Sequence, residues 1–300
     1  MAVLGLLALD PVEDPTLTTK PEIRSLPWLG NDCEHPRLPT LNGPWAIGCK
    51  GASTPNRALH LETNQRIEHP PLGAHWGHGD GFFVDHTKRQ YWTLGTDSQL
   101  GLYPFSSTAH APLRTDGSSL VVSSPGKLEW MRLGDDKRFT IPGANPAPWY
   151  APAVSGDRIY WVQRGDLKTG EDLWTYSLSE KRSWPVAQSD AHERHVVAQG
   201  PYAAWLTDSS VHLFNTQNDE HRVFPGIVNS NEGLGLSDGV VCWEAHTPKD
   251  IDIFCSDGLH LERPGDQRHP TRWKKWLLFH EGNATLLYGP LSTMPEREAP

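Results

Sequence analysis

Basic residues, cysteine and long apolar runs are scarce in this 300-residue chain, and each shortage removes a class of function. Lys and Arg total 27 against 36 Asp and Glu, a formal charge of −9, and the bases are scattered rather than gathered in a stripe. Nucleic acid is held through clustered cations, so it is excluded as the expected partner. The longest apolar opening, Ala2 to Leu9, is far below the ~20 residues that a membrane helix requires. No basic residue stands before it and no clear cleavage site follows, so it does not read as an intact signal peptide, and residues 1–20 are expected to form an N-terminal tail. The four cysteines include no Cys-x-x-Cys, which argues against a zinc ribbon or a dithiol redox centre. A Gly-x-Ser-x-Gly elbow, a phosphate-cradling glycine loop and an amphipathic helix of useful length are absent as well. The acidic loop from Arg164 to Asp172 lacks the Asp-x-Asp spacing of a calcium loop.

Turn formers and aromatics are plentiful instead. The 26 Pro and 27 Gly are dispersed along the chain together with 13 Trp, a pattern of many short strands. Internal repetition organises them. From Tyr150 the chain reads YAPAVSG-DRIYWVQR-GDLKTG-EDLWTYSLS-EKRSWPVAQ: an extended stretch, a Gly turn, a strand ending at Trp161, a polar loop, a strand around Trp174 and a last strand. Each strand is short and alternates with period two, as expected of a sheet with one face on a neighbour. The same order returns as HVVAQG-PYAAWLTD-SSVHLFNT-QNDEHRVFPG from His195 and as EGLGLSDG-VVCWEAHTPK-DIDIFCSDG-LHLERPGD from Glu232. Weaker copies begin at His35, Gly73 and His110. A seventh, from Gln267 to Pro290, stops before its fourth strand, and Ile23 to Pro36 matches the missing closing segment.

These repeats predict an all-β, seven-bladed β-propeller of four-stranded antiparallel blades, closed by an N-terminal strand that completes the last blade and removes exposed edges. The expected blades are 35–72, 73–106, 107–145, 146–188, 189–230, 231–266, and 267–290 plus 21–30, all within one domain over 21–300. The strings VSG-DRIYW…DLWTYSL, LSDG-VVCW…DIDIFC and DQRHP resemble the repeats of bacterial TolB-like propellers, best over residues 150–290. That resemblance implies a fold; the family serves periplasmic scaffolds, carbohydrate-active enzymes and sensors alike.

Trp161, Trp205 and Trp243 hold one repeat position and are expected to fill the space between adjacent blades, with Trp45, Trp92, Trp130, Trp174 and Trp276 in the same role. Trp76, Trp149 and Trp273 fall at or within first strands, where a ring could line the mouth of the channel. Cys242 and Cys255 flank a turn so that they oppose each other across a hairpin, and Cys33 and Cys49 flank the turn near Asn42 in the same manner. Four buried reduced thiols are the other reading of these residues; as two local bridges, each contributing ~3 kcal/mol, they point to an oxidising compartment, periplasmic or secreted.

Connections that enter the first strands and those that join second to third strands emerge on one rim. Aligned there are His35, His75, His110, His195 and His269, with Trp149, Tyr150 and Glu232 in the remaining blades and Trp76 beside His75. They read either as solvated turn residues or as a functional ring. A ring of neutral imidazoles suits a divalent transition metal, with His75, His110, His195 and His269 as candidate ligands. Two functions follow. One is an exported binding or scaffold module that holds a protein, peptide or glycan on this face. The other is a metal-dependent lyase or hydrolase acting on an acidic saccharide, an arrangement that would resemble that of seven-bladed oligogalacturonate lyases. His110, His195 or Tyr150 would then be the base and Arg268 would steady the anion.

Overall fold

The computed structural model describes residues 21–29, 40–49, 56–69, 76–79, 82–85, 90–93, 100–102, 113–135, 137–165, 170–226, 233–282 and 284–290. Apart from the short 3₁₀ turn Pro27–Leu29, the regular structure among these residues is β-strand, arranged as seven four-stranded antiparallel sheets. Sheets 1 to 6 span 40–69, 76–102, 113–140, 153–187, 194–225 and 234–261, each with its strands in sequence order. Sheet 7 takes three strands from 267–290, and its fourth is Pro21–Ser25. Ile23 pairs with Tyr288 and Ser25 with Leu286, and the Leu26 amide continues the ladder to the Thr285 carbonyl at 2.9 Å.

The first strand of each sheet is innermost. These strands touch in order from sheet 2 through sheet 7, and Gln267–Trp273 of sheet 7 then meets Thr40–Asn42 of sheet 1. On one rim the first-to-second turns are linked from sheet to sheet by hydrogen bonds. Gly156 N–H donates to Asp116 Oδ2 (2.8 Å), Ser155 Oγ to the Gly200 carbonyl (3.1 Å), Asp238 N–H to Gln199 Oε1 (2.9 Å) and Lys274 N–H to Ser237 Oγ (2.7 Å). Leu41 N–H donates to Thr271 Oγ1 at 2.9 Å and joins sheet 7 to sheet 1.

Flanking on both sides changes the burial pattern. Alternation predicts one buried face, yet Ile159, Tyr160, Trp161 and Val162 are all buried, because each middle strand has a neighbouring sheet on either side. Trp161, Trp205 and Trp243 occupy one register position, opposite Trp174, His212 and Phe254. Each begins a ladder of rings across its sheet: Trp205, His212 and His221 stack at 5.0 and 5.2 Å, and Trp243, Phe254 and His260 at 6.3 and 4.1 Å. Trp205 sits in the apolar layer between sheets 4 and 5, and Trp243 in the layer between sheets 5 and 6. Trp45, Trp130 and Trp276 are likewise buried and Trp174 packs in the layer of Trp130 and Trp161, as expected of space-filling rings. The side chain of Trp92 lies outside the described residues.

Cys242 pairs directly with Cys255 in the ladder and is disulfide-bonded to it, with Cα atoms 4.0 Å apart, as in a narrow, non-hydrogen-bonded pair. Cys49 ends the strand Trp45–Cys49, while Cys33 lies outside the described residues. Trp273 departs from its expected place. It ends the seven-residue strand Gln267–Trp273, roughly 13 Å of strand beyond His269, and packs into the apolar layer of sheets 7 and 1 at the opposite rim.

Candidate functional site

Antiparallel pairing sends the start of every first strand and every second-to-third turn to the same rim, opposite the linked turns. Ladder register aligns these starts without ambiguity. Ala153, Val197, Gly235 and Thr271 face Tyr160, Ala204, Cys242 and Leu278, so Ala151, His195, Gly233 and His269, two residues earlier, are equivalent. His195, Gly233 and His269 all have positive φ, at 51°, 98° and 55°. At both histidines the strand carries one extra residue, between Arg194 and Val197 and between Arg268 and Thr271. A left-handed residue in a bulge costs backbone energy and re-aims its side chain. Two sheets bear that cost with histidine where sheet 6 uses glycine.

At the corner of sheets 4 and 5, Trp149 is 56% exposed. Its ring stands perpendicular to Tyr150 with centroids 6.3 Å apart, and Tyr150 meets the His195 ring at 5.0 Å. The segment behind the indole is pinned. Ala147 N–H donates to the Val162 carbonyl (2.9 Å) and Arg164 N–H to the Asn145 carbonyl (2.7 Å). Gln163 Oε1 accepts from Asn145 N–H (2.9 Å) and from the Trp161 indole (2.6 Å), while its amide donates to the Gly143 carbonyl (3.2 Å). The indole N–H of Trp149 is turned toward Glu171 and Tyr150. Burial raises the Glu171 carboxyl above its usual range against the opposing pull of His192, Trp149, Arg194 and Arg164. Burial also raises the Tyr150 phenol, helped by Glu171, so it stays protonated near neutrality. Arg194 binds Asp208 and the Thr207 carbonyl, both at 3.1 Å. Beneath them Glu193, only 2% exposed, accepts from Ser189 Oγ at 2.8 Å and is raised by burial.

A second corner lies between sheets 6 and 7. Glu244, 2% exposed, accepts the backbone N–H of His269 at 2.6 Å, and its oxygen is 3.8 Å from the His269 Nδ1. Gly233 makes room, since a Cβ there would stand 2.9 Å from both the Glu244 carboxylate and Pro270. Burial, then the neighbouring His280 and Arg268, hold the His269 imidazole down to about 4. His269 is therefore neutral near pH 7, and its approach to Glu244 is a polar contact rather than an ion pair. The His280 ring stands perpendicular to it at 5.6 Å, and Arg268 is paired with Asp266 at 2.7 Å.

Trp149, Tyr150 and His195 are thus brought together in one corner, and His269 and Arg268 in another, with the first strand of sheet 6 between them. Trp76 opens the first strand of sheet 2. His35, His75, His110 and Glu232 lie outside the described residues. Among the described residues no three His, Cys, Asp or Glu side chains are grouped to hold a metal. His195 and His269, on first strands two sheets apart, are the described members of the expected metal set. Sequence reasoning missed Gln163, Glu171, Glu244 and His280. For the last two a signal exists: they stand one residue after Trp243 and Phe279, where Val162 and Leu206 follow Trp161 and Trp205. A charged or polar residue in a register position that is elsewhere apolar marks a site.

The architecture is that of a β-propeller. Among solved structures, the chain is similar to a chain of the mitotic checkpoint complex, with TM-score 0.59, 11% identity and coverage of 96% of this chain and 99% of that one. A catalytically inactive virginiamycin B lyase from Staphylococcus aureus with quinupristin gives TM-score 0.56 and 9% identity over 90% and 99% of the two chains. An oligogalacturonate lyase in complex with manganese gives TM-score 0.51 and 13% identity over 80% and 84% of the two chains. No family model matches the chain, and no curated protein does. At such identities the likeness carries the fold, and any function has to be read from the rim.

Proposed function

We propose that the seven sheets are the blades of a single closed, TolB-like propeller that is exported and binds a protein, peptide or glycan on its strand-entry rim. The observation that carries this reading is Trp149, a large apolar ring left exposed on a pinned segment, next to Tyr150 and the left-handed His195. A rigid aromatic on a pinned segment loses little entropy on binding, which is how recognition surfaces gain affinity. The Cys242–Cys255 bond supports export to an oxidising compartment. Peptide and glycan arrays probed with the wild type, Trp149→Ala and His195→Ala test the reading. Signals should disappear in both variants and persist in Glu180→Gln, an exposed turn on the opposite rim. Array signals unchanged by either rim substitution would overturn it.

A second reading has its own observation. His269, neutral near pH 7, beside buried Glu244 and next to Arg268, could accept a proton from an acidic saccharide held by the guanidinium. In its metal-dependent form His269 would instead join His75, His110 and His195 as a ligand, leaving Tyr150 as the candidate base. Metal analysis of untagged protein and release of an unsaturated uronide, lost in His269→Gln, test it.

A further inference from the structure

Sheet 5 carries a hydrogen-bonded chain of side chains that neither reading of the rim uses. Its third strand, Ser210–Asn215, starts on the strand-entry rim, and Ser210 and His212, two residues apart, share one face of it. Ser210 Oγ lies 2.8 Å from His212 Nε2, and His212 Nδ1 lies 3.0 Å from Nε2 of His221 on the fourth strand. At the other end Thr207 Oγ1 is 2.7 Å from Ser210 Oγ. The register position of His212 is held by Trp174 in sheet 4 and by Phe254 in sheet 6, so packing there is served by a ring without an acceptor. Two linked imidazoles that end on a hydroxyl are a departure that packing does not account for.

The chain of hydrogen bonds has a direction. Were Ser210 to donate to Thr207, the Thr207 hydroxyl, on a residue 4% exposed, would have only the Ser210 carbonyl at 3.4 Å to donate to. With Thr207 as the donor every proton has a closer acceptor. The Ser210 hydroxyl then donates to His212 Nε2, His212 Nδ1–H to His221 Nε2, and the remaining N–H of His221, an exposed residue, to solvent. This is a nucleophile set against a base that a third group orients. The Trp205 ring lies over both imidazoles, at 5.0 and 5.3 Å, and limits their movement. Burial, then the neighbouring His221, holds His212 down to about 4, so it is neutral near pH 7 and free to accept a proton. So weak a base suits an ester, whose alcohol leaves more readily than the amine of an amide.

We infer that Ser210 is a nucleophile toward small carboxylic esters, with His212 as its base and His221 as a positioning residue. The Ser210 oxygen bonds to the carbonyl carbon as its proton passes to His212 Nε2. The bond from that carbon to the alcohol oxygen breaks, and the alcohol leaves with the proton. Water then attacks the acyl-serine and gives a proton to His212, which passes it to the departing Ser210 oxygen as the carboxylic acid is released. Ser210 is 9% exposed at the tight turn closed by Thr207 N–H on its carbonyl, an opening that admits a slim acyl group. Neither Trp149 nor His269 takes part, so the inference stands apart from both readings above.

The test is treatment of the full chain with a small ethyl fluorophosphonate, read by intact mass and peptide mapping, beside release of nitrophenol from p-nitrophenyl acetate. The wild type should take up one phosphonyl group, on Ser210, and turn over the ester. Ser210→Ala should lose both, while Glu180→Gln on the opposite rim should match the wild type. His212→Phe, which copies the ring of sheet 6, should slow labelling about a hundredfold or more. His221→Gln, whose carbonyl can accept near the place of Nε2, should keep most of the rate that His221→Phe loses, a difference that packing alone would not produce. Nitrogen-15 NMR should find His212, assigned by its loss in His212→Phe, protonated on Nδ1. A Ser210 that the reagent leaves unmodified, labelling indifferent to His212, or His212 protonated on Nε2 would each overturn the inference. The arrays that probe Trp149 and His195 do not involve Ser210, so the binding reading fails or stands separately.

Discussion

Gln163 shows how much one side chain can organise. Its amide joins the second strand of sheet 4, the Trp161 indole and the segment that carries Trp149. Gln163→Leu should strand two N–H donors and lower stability by about 1–3 kcal/mol, measured by urea unfolding, and should weaken any Trp149-dependent ligand as well. The histidines set the response to acid. Burial, then the neighbouring His221, takes His212 from 6.5 down to about 4, and His269 falls to about 4 as well. Such an imidazole binds its proton less readily folded than unfolded. Its contribution is therefore complete above pH 6.5 and is lost as the pH falls toward 4. Glu171 and Glu193, raised from 4.5 by burial, act in the opposite sense and soften the decline near its acidic end. His212→Phe copies the ring that sheet 6 places at the same position, Phe254, and removes the titration. Its melting temperature should drop less than that of the wild type between pH 6.5 and 4; an equal drop would assign the acid sensitivity elsewhere.

At the scale of strands and turns, the repeat made most of the fold legible. Gly turns, Trp-ended strands and the Cys242–Cys255 pairing follow from spacing alone, because hairpin register is a matter of counting. The bulges did not show, since an inserted residue at the start of a first strand looks like loop in a string of letters. His195 and His269 could therefore be grouped by position but not given their left-handed backbone, and the neighbours that define each corner come from other strands. Trp273 was misplaced for a related reason: a strand as long as Gln267–Trp273 carries its last residue to the far rim. The role of Gly233 is testable at this scale. Gly233→Ala should cost on the order of 2 kcal/mol through positive φ and the crowding of Glu244 and Pro270, seen as a lower unfolding midpoint. Reduction of Cys242–Cys255, which closes a 13-residue separation, should cost about 3 kcal/mol, read as the shift in melting with and without reductant.

For the whole molecule, the pairing of Pro21–Ser25 with Ala284–Pro290 joins the first and last described strands within one sheet. Removal of residues 21–29 would leave the edge of sheet 7 bare and strip Leu26 and Leu29 from the layer between sheets 7 and 1. The shortened chain should elute from size exclusion as aggregate or dimer, since an unpaired edge recruits another strand. The same pairing has a practical side. Pro21 lies opposite Pro290 at the rim of the linked turns, across the sheets from Trp149. An anchor grafted directly at Pro21 or Pro290 would hold the rim that carries Trp149 outward, toward the solution.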